Sequence, residues 1–332
     1  MGPRRADAVD DPTPDPELLR LRSLFALDLV SGGVDERFAR WSRLAALSLG
    51  VPFALVTLVD DERQFLCGSH GAGDGVHGID REQTFCSRLV DERPEIMVIE
   101  DTLADERFRE LDVVVGEPHV RFYAGVPITA PDGQVLGTLC VLDVRPRGLS
   151  GVEREILRDL ASSVEDDLGT VALATTDDLT GLSNRRGFDA VAERFTALAR
   201  RRRQAVSVVF VDVDGLKRIN DDRGHAAGDE LLRASASVLT SSVRSCDLVA
   251  RVGGDEFGIV AFGLDDHECQ RLVARVLDAV TARNLERPAD ALLSLSCGGA
   301  TRRRGESSDA LVARADAAMY AARRAVRAGC GA

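Results

Sequence analysis

The chain has 332 residues, 45% of them hydrophobic and 29% charged, a globular composition long enough for two domains with separate cores. Its 54 acidic residues outnumber 42 basic ones for a formal net charge of -12, which argues against a nucleic-acid-binding surface. No apolar run approaches the ~20 residues that span a bilayer, and the first residues lack a signal peptide's apolar core, so a cytoplasmic protein with no membrane partner is expected. The seven cysteines have no CxxC spacing and suggest neither a zinc site nor a disulfide framework.

Pro3, Pro12, Pro14 and Pro16 stand among acidic residues, so residues 1–16 read as a disordered tail. Residues 17–29 and 34–49 carry apolar side chains at helical spacing, separated by Ser31-Gly32-Gly33. Residues 53–59 are strand-like, Asp60-Asp61 supplies a turn, and residues 64–67 pair back. Residues 120–128 and 135–142 form a second hairpin about Pro131-Asp132-Gly133. An antiparallel sheet flanked by helices over residues 17–150 follows, which makes the first half an α+β domain. His70, His77 and His119 are isolated and read as surface residues rather than haem or metal ligands. Cys67 and Cys86 are compatible with a chromophore anchor, an oxidation sensor or inert buried thiols, and nothing adjacent in sequence marks either as activated.

From 151 to 174, Val152, Ile156, Leu160, Val164, Leu168 and Val171 recur at three- or four-residue steps. This is an amphipathic linker helix, suited either to a short parallel coiled coil or to packing on its own domain. The first half resembles a GAF domain, a small-molecule sensing and dimerisation module. The resemblance rests on residues 50–56 (GVPFALV), 84–86 (TFC), 121–128 (RFYAGVPI) and 137–143 (GTLCVLD). It implies an unknown small-molecule GAF ligand, or none.

The second half, residues 175–332, opens on DDLTGLSNRR at 177–186 and continues through a helix with the basic run Arg200 to Arg203. This run and Arg302 to Arg304 read mainly as solvated charge. Residues 206–214 (VSVVFVDVD) form a nearly continuous apolar strand, buried on both faces until its closing acids. A carboxylate there is costly unless solvated or coordinated. Leu248 to Val252 and Phe257 to Phe262 flank Gly253-Gly254-Asp255-Glu256, a hairpin tip where positive φ and missing Cβ atoms admit a ligand to the backbone. Taken alone, the tip is equally an ordinary turn with solvated acids.

With Asp212 to Asn220, Gly224 to Asp229, and Gly253 to Phe257 following in order, the second half resembles the GGDEF domain of diguanylate cyclases. The resemblance implies a palm-like sheet flanked by helices. It implies condensation of two GTP into cyclic di-GMP with release of two pyrophosphates, by a homodimer in which each half-site holds one GTP. It implies two Mg²⁺ per active site, or Mn²⁺, held by Asp212, Asp255 and the Val213 carbonyl. Asp255 through its metal, or Glu256 directly, accepts the hydroxyl proton, a choice the sequence leaves open.

The resemblance further places guanine against Asn220 and Asp229, with His225 a further substrate contact and Gly253 and Gly254 beside the nucleotide. Turn or helix-capping chemistry is the alternative for Asn220, His225 and Asp229. Of the 42 basic residues one is lysine, and Lys217 falls at the family's phosphate-stabilising position. Arg323 stands where the family has lysine, and Arg327 keeps a second basic position toward the triphosphate. Arg244 and Asp247 form an RxxD pair at the offset of the family's inhibitory product site, although RxxD is commonly only an ion pair. A non-catalytic cyclic di-GMP receptor, a cyclase with an adenine-containing product, and a GAF scaffold are the competing readings. The complete set Asp212, Lys217, Asn220, Asp229, Asp255 and Glu256 argues against the first.

Overall fold

Alternation along the strands of the first half buries both faces of one sheet, which is why helices cover it on two sides. The computed structural model describes residues 15–30, 35–72, 78–285, 287 and 292–329, with side chains to 325 in the last stretch. Residues 1–14 of the proposed tail at 1–16, the Ser31-Gly32-Gly33 break, His77 and the Arg327 side chain lie outside the described residues, whereas Pro16, also placed in that tail, begins the first helix. Contacts divide the chain into residues 23–174 and residues 175–332 with those up to 22.

Helix α1 (Pro16–Ala26) precedes α2 (Glu36–Leu49), which Asp35 caps by accepting from the Arg37 N–H and which ends on Gly50 at φ 62°. Strands β1 (Phe53–Val59) and β2 (Arg63–His70) follow, with the Asp60 side chain accepting from the N–H groups of Glu62 and Arg63 in the turn. Next come β3 (Gly78–Asp80), α3 (Phe85–Glu92), β4 (Met97–Ile99), α4 (Asp112–Val115), β5 (Phe122–Thr129), β6 (Val135–Asp143) and α5 (Gly151–Ala174). The six strands make an antiparallel sheet of order β3-β2-β1-β6-β5-β4. Phe85 and Leu89 of α3 pack with Val59, Tyr123 and Cys140, while Ala54, Val56 and Leu58 are buried on the reverse face. Leu157, Ala161, Val164, Leu168 and Val171 of α5 are buried, and the helix lies against α2 and β5. Of the apolar stripe read from the sequence, Val164, Leu168 and Val171 pack within this unit, while Ile156 and Leu160 are half-buried and Val152 is exposed.

The second unit runs α6 (Arg185–Arg202), β7 (Val206–Val213), α7 (Leu216–Arg223), α8 (His225–Ser241), β8 (Leu248–Arg251), β9 (Glu256–Phe262), α9 (Asp266–Asn284), β10 (Leu295–Thr301) and α10 (Ser308–Gly329). Its antiparallel sheet has the order β10-β7-β9-β8, so β7 is central and buried at all eight positions. Asn184 caps α6 through the N–H groups of Arg186 and Gly187, and Asp265 with Glu268 forms a capping box on α9. Helix α10 lies close on β10 because Gly298 has no side chain. A Cβ there would stand 1.9 Å from the Met319 nitrogen. That close approach brings the far end of α10 beside the last residues of β7.

Candidate active site

Strand β7 delivers Asp212 to its C-terminal end, where the residue is 1% exposed. Antiparallel register sets Asp212 opposite Glu256 on β9 and opposite Ser296 on β10. The Val213 N–H donates to the Asp255 carbonyl at 2.9 Å, which ties the strand end to the hairpin. Two segments more than forty residues apart in sequence thus bring Asp212, Val213, Asp255 and Glu256 together. Arg323 reaches in from α10, and its Nη1 donates to Asp212 Oδ2 at 2.5 Å. Its Nε lies 4.0 Å from Asp214 Oδ1. Asp214, absent from the sequence-based site, accepts from the hydroxyls of Ser294 and Ser296.

Burial drives the Asp212 pKa up to about 6; Arg323 opposes this, while Asp255, Asp214 and Glu256 add to it by repulsion. Asp212 Oδ1 is buried with no hydrogen-bond partner. An orphaned carboxylate oxygen among like charges fits a hard divalent cation. Among the described residues, no group of three or more acidic, histidine or cysteine side chains is arranged so that it could hold a metal ion by itself.

The glycines of the tip act otherwise than the sequence suggests. Neither Gly253 nor Gly254 has positive φ. The tip is closed by N–H groups of Val252 and Gly253 donating to the Glu256 carbonyl. A Cβ on Gly253 would lie 2.6 Å from Glu256 Oε2, so this glycine makes room for a folded-back carboxylate, whereas Gly254 faces open space. Clearance, not backbone handedness, is what Gly253 supplies.

Arg251, which the sequence reading passed over, braces the tip by donating to the Gly254 carbonyl at 2.7 Å and pairing with Asp177 at 3.2 Å. Asp177 also accepts from the Thr180 N–H and hydroxyl. Burial works against its charge, yet Thr180 and Arg251 hold its carboxyl below the usual range. The opening motif of this unit is therefore a strut for the hairpin.

Gly215, at φ 77°, turns the chain from β7 into α7, which carries Lys217 in its exposed first turn and Asn220 in its last. The Asn220 carbonyl accepts from the Gly224 N–H, and Gly224 at φ 83° starts α8 with exposed His225 and half-buried Asp229. Gly228 explains the contact between the helices, since a Cβ there would stand 1.9 Å from Asn220 Oδ1. Asn220, His225 and Asp229 thus share one helix–turn–helix corner.

Arg244 and Asp247 lie apart from these groups, between α8 and β8. Arg244 donates to Asp247 through Nη2 at 2.7 Å and through its own backbone N–H at 3.1 Å, and to the Phe262 carbonyl at 2.7 Å. The Asp247 side chain is fully buried while that of Arg244 is 24% exposed. Burial pushes Asp247 above the usual carboxyl value against the pull of Arg244.

Both halves of the chain resemble known proteins. The family described as diguanylate cyclase, GGDEF domain, matches residues 174–328, and the GAF domain family matches residues 34–168. The probable diguanylate cyclase DgcE of Escherichia coli strain K12 is 34% identical over 176 residues, 52% of this chain and 14% of that protein. Diguanylate cyclase DosC of the same strain is 39% identical over 150 residues, covering 45% and 33% respectively. Cyclic di-GMP phosphodiesterase PA2567 of Pseudomonas aeruginosa is 28% identical over 273 residues, covering 81% of this chain and 45% of that protein. The chain spans less than half the length of these relatives. It belongs to the proteins in which a GAF domain is followed by a GGDEF domain.

Proposed function

We propose that the chain is a diguanylate cyclase, joining two GTP molecules into cyclic di-GMP and releasing two pyrophosphates. The observation that carries this reading is the register of β7 against β9, which sets Asp212 beside Glu256 and the Asp255 backbone. In each of two steps a ribose 3′-oxygen attacks the α-phosphorus of the other GTP, its bond to the pyrophosphate breaks, and the hydroxyl proton leaves to a base. Asp255 or Glu256 takes that proton at a carboxylate oxygen. Asn220 and Asp229 present an amide and a carboxylate to the guanine edge, where N1–H and the exocyclic amine need an acceptor. Lys217 and Arg323, with Arg327 beyond, offer cations to the triphosphate.

Asp212, Asp255 and the Val213 carbonyl would hold divalent cations, Mg²⁺ or Mn²⁺, two per active site. When bound, these supply charge neutralisation for the triphosphate and a lowered pKa for the attacking hydroxyl. The orphaned Asp212 Oδ1 supports this assignment. Because each unit contributes one GTP, the active form is a homodimer. A cytoplasmic location follows from GTP as substrate, and among the described residues no helix is long and apolar enough to cross a membrane. The GAF domain regulates the cyclase in response to an unidentified small molecule, and cyclic di-GMP inhibits it at Arg244 and Asp247. Binding of product there requires Arg244 to exchange part of its internal pairing.

Incubating the protein with GTP, ATP and Mg²⁺ and resolving products by chromatography tests the reading. Cyclic di-GMP from the wild type and a loss of about 10²-fold or more in Asp255→Ala is expected. Absence of GTP turnover in linked dimers, or turnover indifferent to Asp255→Ala, would overturn it.

A further inference from the structure

The GAF domain holds a site of different chemistry, independent of the cyclase reading. A cavity of about 420 Å³, walled largely by apolar side chains such as Phe53, Leu55, Leu66 and Val120, has both Cys86 and Cys140 in its lining. Cys86 is the second residue of α3 and Cys140 lies in the middle of β6, yet their Sγ atoms are 3.7 Å apart. The Tyr123 hydroxyl donates to Cys86 Sγ at 3.6 Å. Tyr123 itself lines the cavity and stacks on Phe85 at a ring separation of 4.7 Å. Two thiols in contact, a donor aimed at one of them and a space that reaches both amount to more than a buried cysteine.

We propose that Cys86 and Cys140 are a reversible thiol–disulfide modification site, oxidised by hydroperoxides that enter the cavity. The Cys86 thiolate attacks one peroxide oxygen, so that an S–O bond forms, the O–O bond breaks and hydroxide leaves. Cys140 sulfur then attacks Cys86 sulfur, forming the S–S bond and breaking S–O, and water departs with the proton from Cys140. Two thiols lose two electrons, and hydrogen peroxide is reduced to two waters. From 3.7 Å the sulfurs must approach by roughly 1.7 Å to reach the ~2.05 Å covalent distance, a side-chain rotation with a small shift of α3 toward β6.

The order of events follows from the surroundings. Burial opposes ionisation of Cys86, but hydrogen bonds from Cys140, Thr138, Tyr123 and Thr57 bring its thiol below the usual value. Cys140, hydrogen-bonded to that same sulfur and fully buried, is pushed up. Cys86 is therefore the attacking thiolate and Cys140 the resolving thiol. Cys67, Cys269 and Cys297 are all pushed up by burial, which makes them internal controls.

Full-length protein treated with graded hydrogen peroxide, alkylated and mapped by mass spectrometry without reduction reads the outcome. Arginines separate the two cysteines into different tryptic peptides. A cross-linked pair lighter by two hydrogens, reversed by dithiothreitol and formed at least about tenfold faster than oxidation of Cys67, is expected. Cys140→Ser should leave Cys86 as a sulfenic acid that a dimedone probe captures. Recovery of both cysteines as free thiols, when free cysteine in the same tube is oxidised, overturns the proposal. So does overoxidation of Cys86 with Cys140 untouched in the wild type, or a cross-link that appears only in denaturant. The wild-type map stands even if the serine variant fails to fold.

Discussion

Replacing Arg244 by alanine tests whether the RxxD pair is an internal ion pair as well as a proposed ligand site. The substitution removes the side-chain partner of the fully buried Asp247 carboxylate, which keeps only the backbone N–H of position 244 and the charge of Arg275, and it frees the Phe262 carbonyl from its 2.7 Å bond. Breaking a buried pair from one side costs about 3–5 kcal/mol. Arg244 is 24% exposed, so water recovers part of this and a loss of about 3 kcal/mol is expected. Arg244→Ala/Asp247→Ala removes the stranded charge and should be less destabilised than the single variant, leaving a coupling of about 2 kcal/mol. The single tryptophan, Trp41, lies in the GAF unit and does not report on this loss. Hydrogen exchange of peptides from β8 and β9 does.

The pH dependence has a defined sign. Burial raises Asp247 in the folded state, so the fold binds more protons than the unfolded chain, and stability falls as pH rises from the ordinary value of 3.8 through the raised one. Without Arg244 the raised value climbs further, so the deficit of the variant should be largest near neutrality and shrink as pH falls through the raised value. A loss below about 1 kcal/mol, or a double variant no better than Arg244→Ala, would refute the reasoning. Titration of the same variants with cyclic di-GMP then reads the ligand role: initial rates that product still lowers in Arg244→Ala count against an inhibitory site here.

Two glycines give further tests. Gly298→Val would drive a side chain into the Met319 backbone and should cost about 3 kcal/mol or more, with faster exchange along α10 and loss of turnover; unchanged exchange of α10 would show the contact to be compliant. Gly228→Ala would put a methyl 1.9 Å from Asn220 Oδ1, forcing the amide to turn away while the fold persists. We expect KM for GTP to rise about tenfold, or ~1.4 kcal/mol, with kcat little changed, and an unaltered KM would remove Asn220 from guanine recognition.

Much of this architecture was legible because burial writes itself into sequence. Eight buried positions of β7 appear as the apolar run ending in Asp212, and the turns at Asp60 and Gly133 appear as breaks between strand-like runs. What stayed hidden depends on contacts across the fold. The clearances at Gly253, Gly228 and Gly298 are set by Glu256, Asn220 and Met319, so a positive-φ reading of the hairpin tip had no way to anticipate them. Cys86 looked unremarkable because Cys140 joins it only through the packing of α3 on β6. Arg251 and Asp177 likewise show their role only when the hairpin meets the opening motif, although an arginine just before the tip and an aspartate in that motif were the available signal.

The arginine that replaces the family's lysine at position 323 now has a physical account. Asp212 is 1% exposed among three other acids, and burial and those acids push its pKa up to about 6 even with Arg323 beside it, so without that countercharge it would rise further. Arg323 supplies one at 2.5 Å to Oδ2 while leaving Oδ1 without a partner. A guanidinium suits this position because its Nε also approaches Asp214, which an ammonium making a single point contact would serve less well. The same group that stabilises the acid cluster is the one assigned to the triphosphate, and it cannot make both contacts at full strength. On the proposed function, entry of GTP would exchange one set of countercharges for another, with Arg323 passing from carboxylate to phosphate so that neither charge is left buried and unpaired.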